Sequence, residues 1–115
     1  MKIDDWRRKI DAIDSAMLHL LNLRAELSIE VGRMKCEAGV PLRSTEREQE
    51  ILTRMKQLNP GPLDAETIGK VYQLILDESI RTQTRFGYSV PAASQAQAGA
   101  KADGARGGSR KPARR

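Results

Sequence analysis

Aromatic side chains are nearly absent from this 115-residue chain: one Trp, two Tyr and one Phe, 3% of the sequence. A β-sandwich core draws heavily on aromatic and β-branched residues, so that class is disfavoured, and a core of Leu, Ile, Val, Met and Ala points to packed helices. Cysteine is down to Cys36 alone, which excludes an internal disulfide and suits a reducing compartment. Long apolar runs are missing too. The N-terminal stretch Met1-Lys2-Ile3-Asp4-Asp5-Trp6-Arg7-Arg8 is charged with no apolar segment behind it, so neither a signal peptide nor a membrane span is expected, and the location expected is the cytoplasm.

The net charge of +5 is uneven. Residues 1–87 carry 14 Lys+Arg against 14 Asp+Glu, whereas the last 28 residues hold six basic groups and Asp103. The expected organisation is therefore one domain over 1–87 and a basic Ala/Gly-rich tail over 88–115. From Ser89 onward Ala, Gly, Ser, Gln and Pro dominate, with no large apolar residue after Val90. Such a segment buries too little to offset its chain entropy and reads as disordered. Its charges could bind nucleic acid or an acidic protein weakly; the plainer reading is a solubilising tail that turnover does not need.

Three helices emerge from the periodicity. Trp6, Ile10, Ile13, Met17, Leu20, Leu27, Val31 and Met34 recur at steps of three, four and seven, a coiled-coil-like seam that Gly39-Val40-Pro41 ends. A helix over about 4–37 would be roughly 50 Å long. One small chain cannot cover both sides of such a rod, so a partner copy is expected. A second helix runs from Ser44-Thr45 to Leu58, with Ile51, Leu52, Met55 and Leu58 apolar, and Asn59-Pro60-Gly61-Pro62 stops it. A third, N-capped by Asp64, continues to about Phe86 with Ile68, Val71, Tyr72, Ile75, Ser79 and Gln83 on its stripe.

The informative residues break those stripes. Arg24 falls on the seam between Leu20 and Leu27, and Lys35, eleven residues on, points nearly the same way. Ser79 and Gln83 take apolar positions on the third helix, while Arg47 and Glu48 precede Ile51 and Leu52 by one turn. Together they describe a mostly basic, hydrogen-bonding pocket suited to a small dicarboxylate, with Arg as a forked carboxylate binder and Gln as a neutral donor. Each has a plainer reading: Arg24 snorkelling or paired internally, Lys35 solvated near a helix end, Glu48 closing a capping box with Thr45, Ser79 and Gln83 bonding the backbone or another helix. Pattern alone supports a polar pocket and names no reaction.

The motifs go further. Trp6-Arg7-Arg8-Lys9-Ile10-Asp11-Ala12-Ile13-Asp14, Leu20-Leu21-Asn22-Leu23-Arg24 and Val31-Gly32-Arg33-Met34-Lys35 resemble the long first helix of the all-helical chorismate mutases. Glu46-Arg47-Glu48-Gln49-Glu50-Ile51-Leu52 is similar to their second helix. Asn59-Pro60-Gly61-Pro62-Leu63, Ile75-Leu76-Asp77-Glu78-Ser79 and Gln83 are similar to their third. The resemblance implies an all-α, intertwined homodimer of three-helix chains that converts chorismate to prephenate on the route to phenylalanine and tyrosine, with no metal or cofactor. It implies that Arg24, and Arg7 from the partner subunit, hold the substrate carboxylates. Lys35 and Gln83 would donate to the ether oxygen, Glu48 would accept from the ring hydroxyl, and Ser79 and Arg47 would complete the carboxylate side. Ser44 stands where many members carry Asp; a backbone contact there, and its value as an N-cap, make it tolerable. The 28-residue tail is too short for a fused enzyme, so a monofunctional member is expected. Two other readings compete: an isochorismate pyruvate lyase of the same fold, and a non-catalytic helical module.

Geometry bears on the shared site. Arg7 and Arg24 lie 17 residues apart on one helix, roughly 25 Å. One small substrate cannot touch both in a single chain, so a site using both requires an isologous dimer.

Overall fold

A computed structural model describes residues 2–88, and the tail expected beyond Tyr88 lies outside them. Three helices make up the described chain: α1 (Ile3–Ala38), α2 (Thr45–Leu58) and α3 (Ala65–Arg85). Their bounds lie within about a residue of those the periodicity gives, because the punctuation is explicit. At the start of α1 the Lys2 N–H donates to the Asp5 carboxylate (2.9 Å), and Asp4 and Asp5 put negative charge in the first turn. At its end Gly39 takes a left-handed conformation (φ 74°), and the N–H groups of Gly39 and Val40 cap the carbonyls of Cys36 and Lys35. Ser44 caps α2 by accepting from the Arg47 N–H (3.2 Å), and Asp64 caps α3 by accepting from Thr67 (2.8 Å). The Asn59 side chain closes the breaker loop, donating to the Leu63 carbonyl (2.6 Å) and accepting from the Gly61 N–H (3.1 Å).

Helix α3 packs against both α1 and α2, which among the described residues do not pack on each other. The core sits at the C-terminal half of α1, where Ile29, Cys36, Leu42 and Tyr88 cluster with Ile80 and Phe86 against them. Ile51 of α2 and Leu76 of α3 are buried as well. None of the described helices is long and apolar enough to cross a membrane.

One face of α1 was not foreseen, and one boundary is corrected. The stripe of α1 that packs within the chain is Ile29, Gly32 and Cys36. At 100° per residue it lies roughly opposite Leu27, Val31 and Met34, which are 61%, 46% and 61% exposed. Helix α1 has two apolar faces. The strong seam is exposed in a single chain, as are Trp6, Ile10, Ile13, Met17 and Leu20 further up, while a weaker stripe of small and medium residues meets α3. The corrected boundary is at residue 88. Gly87 (φ 89°) reverses the chain, the Tyr88 N–H donates back to the Gln83 carbonyl (3.1 Å), and the ring is 1% exposed. A glycine-terminated helix end thus carries Tyr88, expected in the tail, into the core.

Replacing Tyr88 by Ala should cost about 3 kcal/mol of unfolding free energy, measured by urea titration. A loss below about 1 kcal/mol would mean the ring contributes little to the core.

Candidate active site

Seven of the eight site residues expected from sequence line one cavity of about 300 Å³: Arg24 and Lys35 from α1, Ser44 at the α2 cap, Arg47 and Glu48 from α2, and Ser79 and Gln83 from α3. Leu27, Val31, Leu42, Ile51, Leu76 and Ile80 supply its apolar wall. Arg7, the eighth, sits at the far end of α1, exposed, 3.8 Å from Asp4. The single chain does not bring it to the cavity.

The α1 contribution is a stripe: Arg24, Ser28, Val31 and Lys35 follow one another by four, three and four residues and so face one way. Arg24 is half-buried, and its Nη1 donates to the Ser79 Oγ (2.7 Å), which itself donates to the Ile75 carbonyl (3.1 Å). The guanidinium is oriented by a neutral hydroxyl and has no carboxylate partner among the described residues. A partly buried cation in that state is poised for an anionic ligand. The snorkelling and internal-pair readings of Arg24 do not apply.

Lys35 donates to the Leu42 carbonyl (2.8 Å), which leaves it two further N–H donors. Burial pushes the ammonium below the ordinary lysine range; the Glu48 charge opposes that shift and the Arg47 charge adds to it. Glu48 is the least exposed carboxylate of the ion pairs at the site (16%), and its Oε2 accepts from the Arg43 Nε (2.6 Å). It therefore does not close a capping box with Thr45; Ser44 is the cap. Arg47 lies at the exposed mouth, with Nη1 on the Glu50 carboxylate (2.6 Å).

Gln83 is the most buried polar side chain of the cavity, 4% exposed. Its Nε2 donates to the Ser28 carbonyl (2.7 Å), while Oε1 is buried without a hydrogen-bond partner. The buried amide thus has an acceptor, and a second N–H, still to be matched. Gly32 makes room for it: a Cβ on Gly32 would fall 2.7 Å from the Gln83 Cγ.

Sequence reasoning did not single out Arg43 or the packing role of Gly32. Arg43 lies in the α1–α2 loop, where no periodicity marks a residue as facing inward. Gly32 did carry a signal, because glycine inside a helix costs about 1 kcal/mol relative to Ala and marks a close approach.

The cavity thus offers three cations, one carboxylate that Arg43 already occupies on one oxygen, and neutral hydroxyl and amide groups. Such a lining has the charges and hydrogen-bonding groups to receive a compact, multiply anionic molecule and set its orientation, with no nucleophile needed for that.

Residues 6–84 match the family chorismate mutase type II. The chain is 41% identical over 78 residues to the bifunctional chorismate mutase/prephenate dehydratase of Escherichia coli (strain K12), covering 67% of this chain and 20% of that protein. It is 31% identical over 86 residues to the chorismate mutase of Methanocaldococcus jannaschii, covering 74% and 87%. The solved chorismate mutase (form II) of Thermus thermophilus superposes with a TM-score of 0.72 at 34% identity, covering 74% of this chain and 97% of that one. The chain spans about a fifth of the length of the bifunctional relatives it matches.

Replacing Gly32 by Ala should destabilise the fold by about 1–2 kcal/mol, because the clash with Gln83 outweighs the gain in helix propensity. Thermal unfolding followed by circular dichroism reads the sign, and a stabilised variant would contradict the close approach.

Proposed function

The chain belongs to the chorismate mutase type II family, and we propose that its cavity binds chorismate and rearranges it to prephenate. The observation that carries this reading is the convergence of Arg24, Lys35, Glu48 and Gln83 from three helices on one cavity inside the family-matched segment. The reaction is a unimolecular pericyclic shift in which the ether C–O bond breaks as a new C–C bond forms, so atoms and electrons balance within the substrate. What an enzyme must supply is a chair-like conformer held in place, and donors aimed at the ether oxygen as negative charge develops there.

The residues divide along those lines. Arg24, set by Ser79, takes one substrate carboxylate in forked geometry. Lys35 has two N–H groups beyond its bond to Leu42, and Gln83 one beyond its bond to Ser28. These aim at the ether oxygen. Glu48 accepts from the ring hydroxyl through the oxygen that Arg43 leaves free. Arg47 and the Ser44 backbone complete the rim. The second carboxylate falls to Arg7 of the partner subunit in a homodimer formed through the exposed seam of α1. Large side chains there, from Trp6 at 54% to Leu20 at 60% exposed, form a row that a soluble monomer rarely leaves bare. With its single cysteine and no membrane-crossing helix among the described residues, the proposed location is the cytoplasm.

The test is the purified protein with chorismate, and separately isochorismate, followed by absorbance and product analysis. Prephenate from chorismate supports the reading. Salicylate and pyruvate from isochorismate with little prephenate would replace it with the lyase, and no product from either would make the chain a binding module.

Lys35 must keep its proton to donate, and burial lowers its proton affinity. The kcat/KM profile, which reports the free enzyme, should therefore fall as pH rises through a value below the ordinary lysine pKa of 10.5. Lys35→Ala should cost about 3 kcal/mol, roughly two orders of magnitude in rate. Near-wild-type turnover would remove Lys35 from the mechanism.

The shared site has its own test. Mixed Arg7→Ala and Arg24→Ala chains should regain activity after subunit exchange, because one of the two sites in the heterodimer is then intact. No recovery after proven exchange would keep Arg7 out of the site.

A further inference from the structure

We infer that Arg43, which does not line the cavity, is a positioning residue that holds Glu48 away from Lys35 so that both stay available to the substrate; this rests on the chorismate mutase reading above.

The geometry is that of a fork between two helices. The Arg43 Nε meets the Glu48 carboxylate of α2 at 2.6 Å, and its Nη2 meets the Asp77 carboxylate of α3. Gln73 holds the same Asp77 oxygen at 3.1 Å. The backbone beside Arg43 is anchored as well, because Leu42 is buried and its carbonyl accepts from Lys35. An Arg fork can serve two carboxylates at fixed angles, which a lysine point charge cannot.

The need for such a clamp comes from the charges facing Glu48. Its carboxylate and the Lys35 ammonium line the same cavity, with Arg47 as the third charged group there. Glu48 is 16% exposed, so solvent screens the attraction between them poorly. Without Arg43, the opposite charges of Glu48 and Lys35 would draw the two side chains into a direct pair. That pair would take the donor and the acceptor out of service together. Arg43 removes the incentive by neutralising Glu48 from outside the cavity. It ties up one carboxylate oxygen and leaves the other for a hydroxyl. Asp77, at 46% exposure, is screened and serves mainly to fix the far end of the fork.

The test combines turnover of chorismate with titration of Lys35 by NMR of its 13Cε resonance, in wild type, R43A, R43K and D77N. In R43A, Lys35 should titrate at higher pH than in wild type, because Glu48 has collapsed onto it, and kcat/KM should fall about 10- to 100-fold. R43K should lie between the two, and D77N close to wild type. An unmoved Lys35 titration in R43A, or wild-type kcat/KM there, overturns the inference. A fall in rate without movement of Lys35 also overturns it, since that is what a merely structural tie would give. Should R43A fail to fold by circular dichroism, R43K decides by the same two readouts. Wild type that makes no prephenate defeats the functional reading instead, and the Lys35 titration still decides whether Arg43 holds the pair apart.

Discussion

The structure depends on how closely α1 and α3 approach at Gly32. With no side chain there, the Gln83 amide lies directly on the α1 backbone and bonds the Ser28 carbonyl. One turn earlier on both helices, Arg24 bonds Ser79. The two bonds join residues with the same separation in sequence, 55 positions, so together they fix the rotation and the register of α3 against α1. Tyr88 locks the end of the arrangement by returning to the Gln83 carbonyl and burying its ring on the α1 face. A slip by one residue would break both polar bonds and turn the cavity-lining side chains away. The interactions that hold the fold are therefore the ones that build the site.

That coincidence explains why so much was legible in the sequence. Arg24, Lys35, Ser79 and Gln83 stood out as polar residues on apolar stripes, and the same departure that made them anomalous puts them in the cavity. Helix ends were legible because Ser44, Asp64, Gly39 and Asn59-Pro60-Gly61-Pro62 are local signals that do not depend on tertiary context. What stayed hidden depends on contacts between segments. Arg43 sits in a loop, where period carries no information, and its value lies in reaching two helices at once. The packing face of α1 was hidden by the stronger apolar seam, whose side chains outweigh Ile29, Gly32 and Cys36 in any count of periodicity. Tyr88 was hidden because the reversal at Gly87 depends on a positive φ that composition does not announce.

The charged groups of the fold and of the site bear on stability in opposite directions. Asp64 and Asp77 lie below the ordinary carboxylate range, Asp64 through its bonds to Thr67 and Asp77 through Arg43 and then Gln73. Groups with a depressed folded pKa contribute stability that is present above the unfolded value and is lost as pH falls through the folded one. Both are exposed, so the contribution is small. Lys35 behaves differently. Its proton affinity is lowered by burial, so between its folded and unfolded pKa the unfolded chain holds more protons, and stability rises with pH there. The proposed chemistry needs Lys35 protonated, which is the side of that window where the folded chain is less stable. A charge kept for catalysis against the preference of the fold is expected where a lysine donates in a low-dielectric cavity.

The long first helix raises the same tension on a larger scale. Its N-terminal half leaves Ile10, Ile13, Met17 and Leu20 more than half exposed, while Arg7 on that half lies far from the cavity of its own chain. A single chain thus carries both an apolar surface without a cover and a cavity in which Arg24 is the one arginine without a carboxylate partner among the described residues. In the proposed dimer one operation answers both, since a two-fold axis that buries the seam also carries the N-terminal end of α1 toward the other chain's cavity. Assembly and substrate binding would then be linked. Any substitution that opened the seam would withdraw an arginine from both sites, and a bound dianion, by engaging residues of two chains, would tighten the dimer by mass action.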